Sequence, residues 1–314
     1  MGAPDVAKSM LEAIGNTPVV RLRKVVPREC ADVLVKLEYY SPTGSYKDRM
    51  ARAMIEAAER RGELKPGMTV VEYTGGSTGS SLAFVCAIKG YPFRVVSSDA
   101  FAQEKLWTMR AFGARLDIVP SEGGQITPDL VPRMIRRAQE LASAGSTYFT
   151  DQFRNADSLE GYAQIGHELQ HQVGGGIDAF CAGVGTAGML MGVARVLRQA
   201  RPAIKIVALE PATSAVLSTG RAGSHHVEGI GVGFTPPLLD QAIYDEARGV
   251  DEAEAREMAR RLAAEEGIFA GTSSGLNVVG ALRLAGELGP GRTVVTVAVD
   301  TGLKYLNGDL FRPA

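Results

Sequence analysis

The sequence is poor in the features that mark secretion, membranes and nucleic-acid partners. It has three cysteines, Cys30, Cys86 and Cys181. They are odd in number, far apart and set in apolar surroundings such as LAFVCAI and DAFCAG. They therefore read as buried free thiols, and neither a disulfide framework nor a cysteine-based metal site is suggested. No apolar run approaches the ~18 to 20 residues of a membrane span. The opening MGAPDVAKSM has neither the apolar core of a signal peptide nor a Ser or Thr at position 6 for myristoylation, so a cytoplasmic location is expected. Charge of one sign is also missing: 34 basic residues face 35 acidic ones, for a net charge of -1. Without an excess of positive charge there is no general attraction for nucleic acid or for anionic lipid, and no such partner is expected. Low-complexity tracts, Pro-rich or charged linkers and repeats of about 20 to 50 residues are absent as well.

What remains is an ordinary globular composition, 45% hydrophobic and 22% charged, over 314 residues, a length that suggests about two domains. Short runs rich in Val and Ile alternate with longer stretches of helical period, and most junctions carry Gly. Strands are predicted at 32–37, 68–73, 93–97, 115–119, 178–182, 204–209 and 292–299. Helices are predicted at 48–61, 78–89, 102–112, 128–143, 157–172, 187–200, 251–265 and 274–287. Several strands are apolar on both alternating faces, which calls for helices on both sides of a mostly parallel sheet. The expected class is α/β, in two three-layer αβα domains. A small polar patch at 144–152 is the best candidate boundary between them.

Three motifs compete for the chemistry. GVGTAG, Gly183 to Gly188, joins the strand DAFCA to a helix, with Glu210 at the end of the next strand. Glycines there let the backbone approach an anion while the helix N-terminus points N–H groups and positive dipole at it. The motif fits a phosphate site, a dinucleotide fingerprint with Glu210 as ribose acid, or a plain tight turn. TGGSTG, Thr74 to Gly79, opens another helix and adds the hydroxyls of Thr74, Ser77 and Thr78, so it can hold a carboxylate or a second anion. HELQH, His167 to His171, has the spacing of two zinc ligands. The apolar stripe of Leu159, Tyr162, Leu169 and Val173, with Ile165 nearby, turns both histidines toward solvent instead.

Upstream, SPTGSYKDRM places Lys47 after a Pro-Gly turn and just before an amphipathic helix. A lysine there is ordinarily a solvated first-turn residue. The helix dipole nevertheless disfavours a cation at that end, and burial would do the same, leaving the neutral amine that imine chemistry with an aldehyde cofactor needs.

GNTP at 15–18, SYKDR at 45–49, TGGSTG at 74–79, GVGTAG at 183–188, EGIGVGF at 228–234, GIFAGTSSG at 267–275 and DTGLKYL at 300–306 resemble, in order, the motifs of cysteine synthases and cystathionine β-synthases. These are fold type II enzymes of pyridoxal 5'-phosphate (PLP), and the likeness runs from about residue 11 to 306. It implies PLP in a cleft between an N-terminal, substrate-side domain at 36–147 and a C-terminal domain, 1–35 with 148–314, that takes the cofactor phosphate. Lys47 falls on the lysine that holds PLP covalently. Gly183, Gly185, Thr186, Ala187, Gly188 and Met189 fall on the phosphate loop, with Thr186 as hydroxyl donor. Ser273 falls on the serine that meets the pyridine nitrogen and, being neutral, leaves the ring a weaker electron sink. Thr74, Gly75, Gly76, Thr78 and Gln152 fall on the substrate-carboxylate site, Ser77 beside the cofactor ring oxygen, and Gly229 in the loop next to the site.

Departures from the usual T-S-G-N-T affect the substrate rather than the cofactor. Gly75 removes a substrate-facing hydroxyl and Ser77 replaces an Asn. Met189 stands for a Thr, Glu228 for a Gln, and Asp300 and Leu303 interrupt the usual S-S-G-E-R ending. The expected activity is β-elimination followed by β-replacement on a serine- or cysteine-type amino acid, using O-acetylserine or a relative with sulfide or a thiol, in a cytoplasmic homodimer. The nearest rival is a PLP lyase of the cysteine desulfhydrase or serine/threonine dehydratase type. A dehydrogenase resting on GVGTAG with Glu210 and a zinc hydrolase resting on HELQH are more remote.

Overall fold

Apolar runs bounded by glycine form the central strands, and the amphipathic stretches between them form helices. The structure, a computed structural model, describes residues 6–124, 129–174 and 176–312. Its strands are β1 (Val19–Arg21), β2 (Asp32–Leu37), β3 (Thr69–Tyr73), β4 (Phe93–Ser98), β5 (Arg115–Val119), β6 (Thr147–Phe149), β7 (Ala179–Gly183), β8 (Lys205–Pro211), β9 (Glu246–Val250) and β10 (Thr293–Ala298). The helices are α1 (Lys47–Arg61), α2 (Ser77–Lys89), α3 (Gln103–Ala111), α4 (Leu130–Ala142), α5 (Asp157–Val173), α6 (Gly188–Ala200), α7 (Val216–Thr219), α8 (Glu252–Arg261) and α9 (Thr272–Leu288). Residue 128, the predicted start of the fourth helix, lies outside the described residues.

All seven predicted strands are present. The additional ones, β1, β6 and β9, each lie at a sheet edge. Edge strands are partly solvated and need no continuous apolar run, so TYF and the charged EARGV carry little strand signal.

The chain forms two compact units, one of Met1–Gly15 with Ser41–Asp157 and the other of Asn16–Tyr40 with Ser158–Ala314. These bounds differ from the expected 36 and 147 for local reasons. Residues 36 and 37 finish β2, and residues 148 and 149 belong to β6, which pairs with β3. The N-terminal segment joins the first unit, where Leu11 is buried and its carbonyl accepts a 3.0 Å hydrogen bond from Arg52 Nη1.

The first unit holds an all-parallel four-stranded sheet in the order β5-β4-β3-β6. The second holds six strands in the order β1-β2-β10-β7-β8-β9, parallel except for the β1–β2 pair. Every residue of β7 is buried, so that strand is covered on both faces, as expected of a parallel sheet. Cys86 and Cys181 are buried, whereas Cys30 is only half-buried: it precedes β2 and packs at the rim of the core.

In each sheet the ladder stops short of a glycine loop. β10 pairs with β2 along its length but with β7 only at Val294–Ala179 and Val295–Phe180. β3 pairs with β6 only as far as Val71–Phe149. Buried backbone groups freed by such divergence need partners, and side chains supply them.

Candidate active site

In the first unit the turn before α1 is closed by Asp48, whose carboxylate accepts from Thr43 N at 2.8 Å and Thr43 Oγ1 at 2.6 Å. A carboxylate in a first helical turn is favoured by the dipole. Lys47, the first residue of α1, is buried, with Nζ 4.7 Å from the centre of the Tyr46 ring. The burial that the sequence left open is therefore present.

The Thr74 to Gly79 loop leaves β3 and enters α2. Thr74 Oγ1 accepts from Gly76 N at 3.1 Å, and Thr78 Oγ1 donates to Gln152 Oε1 at 2.7 Å. Ser77, half-buried, is the first residue of α2. Gln152 also donates from Nε2 to Tyr73 O at 3.3 Å. Asp151 just before it has φ 44°, a left-handed conformation rare for a non-glycine residue, which fixes how the chain enters Gln152. The structure thus brings Thr74, Gly75, Gly76, Ser77, Thr78 and Gln152 together.

Beneath them Glu72 is fully buried and substitutes for the missing ladder. Its carboxylate accepts from Tyr73 N (2.9 Å), Thr150 Oγ1 (2.8 Å) and Gln152 N (3.0 Å). Burial pushes its pKa up to about 7 against the pull of those three donors.

A hydroxyl at position 75 is not merely missing. A Cβ on Gly75 would lie closer than 3.0 Å to the ring of Phe101. The space next to Gly75 belongs to that ring.

In the second unit β7 runs into the Gly183 to Gly188 loop and α6. Gly183 N donates to Asn277 Oδ1 at 2.7 Å, and Val184 N donates to Leu209 O at 2.9 Å. A Cβ on Gly185 would strike the carbonyl oxygen of Gly229, so only glycine allows this approach, and Gly231 N closes the contact by donating to Val184 O at 3.0 Å. Ala187 takes φ 68° at the N-cap of α6, which has no side-chain cap. Thr186 is buried and polar; Met189, in the first turn, is buried and has no hydroxyl. Gly229, φ 85°, is exposed. Ser273 is buried in the first turn of α9.

These features fit a phosphorylated aldehyde cofactor: a glycine cradle that a Cβ would fill leads into an uncapped helix N-terminus with a hydroxyl beside it, and the chain carries a buried lysine. The chemistry of the donors matches an anion and a carbonyl group.

The competing motifs have other employment. Glu210 is buried and accepts from Leu217 N (2.9 Å) and Ser218 N (2.8 Å), holding the start of α7 instead of waiting for a ribose. His167 and His171 are exposed on α5, as the apolar stripe requires. Glu168 between them turns to the buried Lys36, at 2.6 Å; Lys36 Nζ also donates to Thr17 O (2.6 Å) and Gln172 Oε1 (2.8 Å).

Sequence reasoning missed Asn277, Glu72, Asp48 and Phe101. Asn277 and Glu72 carried a usable signal, a polar side chain inside the apolar runs GLNVV and VVEY. Asn277 is buried, and besides accepting from Gly183 N it donates from Nδ2 to Val297 O at 2.8 Å, spanning the point where β7 and β10 part.

The pyridoxal-phosphate dependent enzyme family matches residues 10–300. A cysteine synthase of Staphylococcus aureus (strain Mu50) is 46% identical over 305 residues, 96% of either chain. The solved structure of a cysteine synthase from Entamoeba histolytica superposes with a TM-score of 0.92 at 32% identity, covering 100% of this chain and 94% of that one. An O-ureido-L-serine synthase structure gives a TM-score of 0.90 at 38% identity, covering 98% and 95%.

Proposed function

The chain belongs to the pyridoxal-phosphate dependent enzymes, and from that premise we propose that it carries out β-elimination and β-replacement on a serine-type amino acid, with O-acetyl-L-serine or a related ester as donor and sulfide or a thiol as acceptor. The observation that carries this reading is Lys47, buried at the start of α1 in a chain that matches a cysteine synthase over nearly its whole length.

Bound PLP would supply the electron sink for charge developing at the substrate Cα. In this reading Lys47 Nζ is the amine that would hold the cofactor's aldehyde group, and the same amine would take the substrate's Cα proton as general base. Gly183, Gly185, Thr186, Ala187, Gly188 and Met189 would hold the phosphate through backbone N–H groups and one hydroxyl. Ser273 would hold the ring nitrogen and Ser77 the ring oxygen. Thr74, Gly75, Gly76, Thr78 and Gln152 hold the substrate carboxylate, and Gly229 borders the site. The unit containing Lys47 is the substrate side, and the unit containing Gly183 takes the phosphate. By the same likeness the working form is a cytoplasmic homodimer acting on small molecules.

A second reading, a lyase releasing a keto acid and ammonia, rests on the loop's departure at Gly75, where the Phe101 ring takes the space that a side chain would need. Incubation with O-acetylserine, O-phosphoserine, serine and cysteine, with and without sulfide, tests both. Sulfide-dependent cysteine formation is the expected result. Keto acid and ammonia regardless of sulfide would select the lyase, and no turnover of any of the four would overturn both.

A further inference from the structure

The chemistry proposed above leaves one buried acid of the first unit without a part, Glu72, and its bonds lead to Gln152. Glu72 lies on β3 just past Val71, where pairing with β6 ends. Thr150 N still donates to Val71 O at 3.1 Å, and the chain then turns. Arg154 N and Asn155 N close the turn by donating to Asp151 O, each at 2.9 Å, and Asn155 Nδ2 donates to Thr150 O at 2.9 Å. Within it Asp151 holds φ 44°, a conformation that a non-glycine residue keeps only where its surroundings over-determine it.

Glu72 supplies that constraint. Its Oε2 accepts from Thr150 Oγ1 (2.8 Å) and from Gln152 N (3.0 Å), one residue on either side of Asp151. The carboxylate therefore ties both flanks of the strained residue to β3. Gln152, itself buried, is fixed at its other end as well: Oε1 accepts from Thr78 Oγ1 at 2.7 Å and Nε2 donates to Tyr73 O at 3.3 Å. The amide cannot turn over, because its oxygen would then meet the Tyr73 carbonyl oxygen. A carboxamide nitrogen carries two N–H groups, so one is left to donate after Tyr73 O is served. An anchored backbone and an oriented amide with an N–H to give are what recognition of a carboxylate needs.

We propose that Glu72 is a positioning residue for the substrate: by tying the residues on either side of Asp151 to β3, it sets the place from which Gln152 meets the substrate carboxylate. The inference rests on the reading above that Gln152 holds that carboxylate. Position and charge pull in opposite directions here. A negative group near an anion site repels the anion, so removing the charge alone would tighten binding, whereas losing the anchor loosens it.

The test compares native protein with Glu72→Asp, Glu72→Gln, Gln152→Ala and the double variant of Glu72→Asp with Gln152→Ala, all loaded with PLP. Glu72→Asp keeps the charge and draws the oxygens back from Gln152 N. Glu72→Gln gives up the charge and keeps the reach, and its one oxygen can still accept from Gln152 N. For each protein kcat and KM are measured with O-acetyl-L-serine at saturating sulfide, and PLP is titrated separately. Glu72→Asp should raise KM by about tenfold while kcat stays within about threefold, because the interaction lost is one of binding. Glu72→Gln should stay within about threefold of the native KM. The double variant should lose no more than Gln152→Ala alone, since a group that acts through Gln152 then has nothing to position.

A KM within about twofold of native in Glu72→Asp, a higher KM in Glu72→Gln than in Glu72→Asp, or additive effects in the double variant would overturn the inference and leave Gln152 its place. An equal loss of PLP affinity in Glu72→Asp would mark a general defect and overturn it too. Should Glu72→Asp not fold, Glu72→Met, which fills the site without an acceptor, takes its place under the same limits. A KM within about twofold of native in Gln152→Ala would overturn the reading of Gln152 and the inference with it. Absence of turnover by the native protein would overturn the β-replacement reading itself.

Discussion

Asn277 offers the most direct check on how the phosphate loop is held. Its amide completes two buried bonds, accepting from Gly183 N at 2.7 Å and donating to Val297 O at 2.8 Å, where the β7–β10 ladder has ended. Asn277→Leu keeps the branched shape of the side chain and removes both partners. Each of the two buried backbone groups left unsatisfied costs about 1 to 3 kcal/mol, so the substitution should destabilise by roughly 2 to 6 kcal/mol. In a domain of this size that is a fall in melting temperature of about 5 to 15 °C. Gly183 opens the loop proposed to hold the cofactor phosphate, so PLP affinity should also drop by about tenfold or more, the equivalent of ~1.4 kcal/mol. Thermal denaturation of the apoprotein and PLP titration of the variant measure the two effects separately. If Asn277→Leu melts within a degree or so of native, or binds PLP as tightly, the side-chain bridge does not hold the loop and the reasoning fails.

Three further outcomes follow from buried groups. Glu72 titrates near 7 in the fold against an ordinary 4.5, so the folded chain keeps a proton that the unfolded chain releases; its contribution is full below pH 4.5 and is lost as pH rises to about 7, by about 3 kcal/mol. Denaturant unfolding across that window should show the decline, and Glu72→Gln should flatten it; an unchanged slope would contradict the assignment. Burial pushes the Cys181 thiol up to about 12 and raises that of Cys86, so in the native protein a thiol reagent should modify Cys30 alone, with all three cysteines reacting after denaturation; rapid native labelling of Cys86 or Cys181 by peptide mapping would refute this. Gly185→Asp places a Cβ against the Gly229 carbonyl oxygen and a negative charge beside the phosphate, so PLP should be lost on dialysis at least about tenfold more readily; retention equal to native would count against the loop as the phosphate site.

Much of this architecture was legible because its signals are local. Glycine turns opening helices at Gly76 and Gly188, and a lysine after the Pro-Gly turn, are short-range chemistry that survives any tertiary arrangement. The central strands were visible for the same reason: being buried on both faces, they read as apolar runs. The edge strands β1, β6 and β9 were not, since partial solvation removes that signal. Glu210 left a ribose acid open as an alternative because its spacing after GVGTAG suits one, whereas the geometry gives it to the short helix α7, which leaves no periodic trace. The exposure of His167 and His171 follows from the helical stripe of α5. Phe101 could not be foreseen: nothing in the order of residues says that the ring of a distant segment fills the space left by Gly75, and the departure read from sequence as a lost hydroxyl is, in the fold, a substituted one.

The central claim is that Lys47 carries the carbonyl cofactor, and reductive trapping tests it most directly. The PLP-loaded protein is treated with borohydride, its visible absorption is recorded before and after, and the labelled peptide is mapped by mass spectrometry, with Lys47→Ala processed in parallel. The account predicts that the visible band is lost on reduction, that the label lies on Lys47, and that Lys47→Ala remains folded but takes no label. A label on Lys36, whose amine is committed to Glu168 and Thr17, or on Lys304, or full labelling of Lys47→Ala, would contradict it.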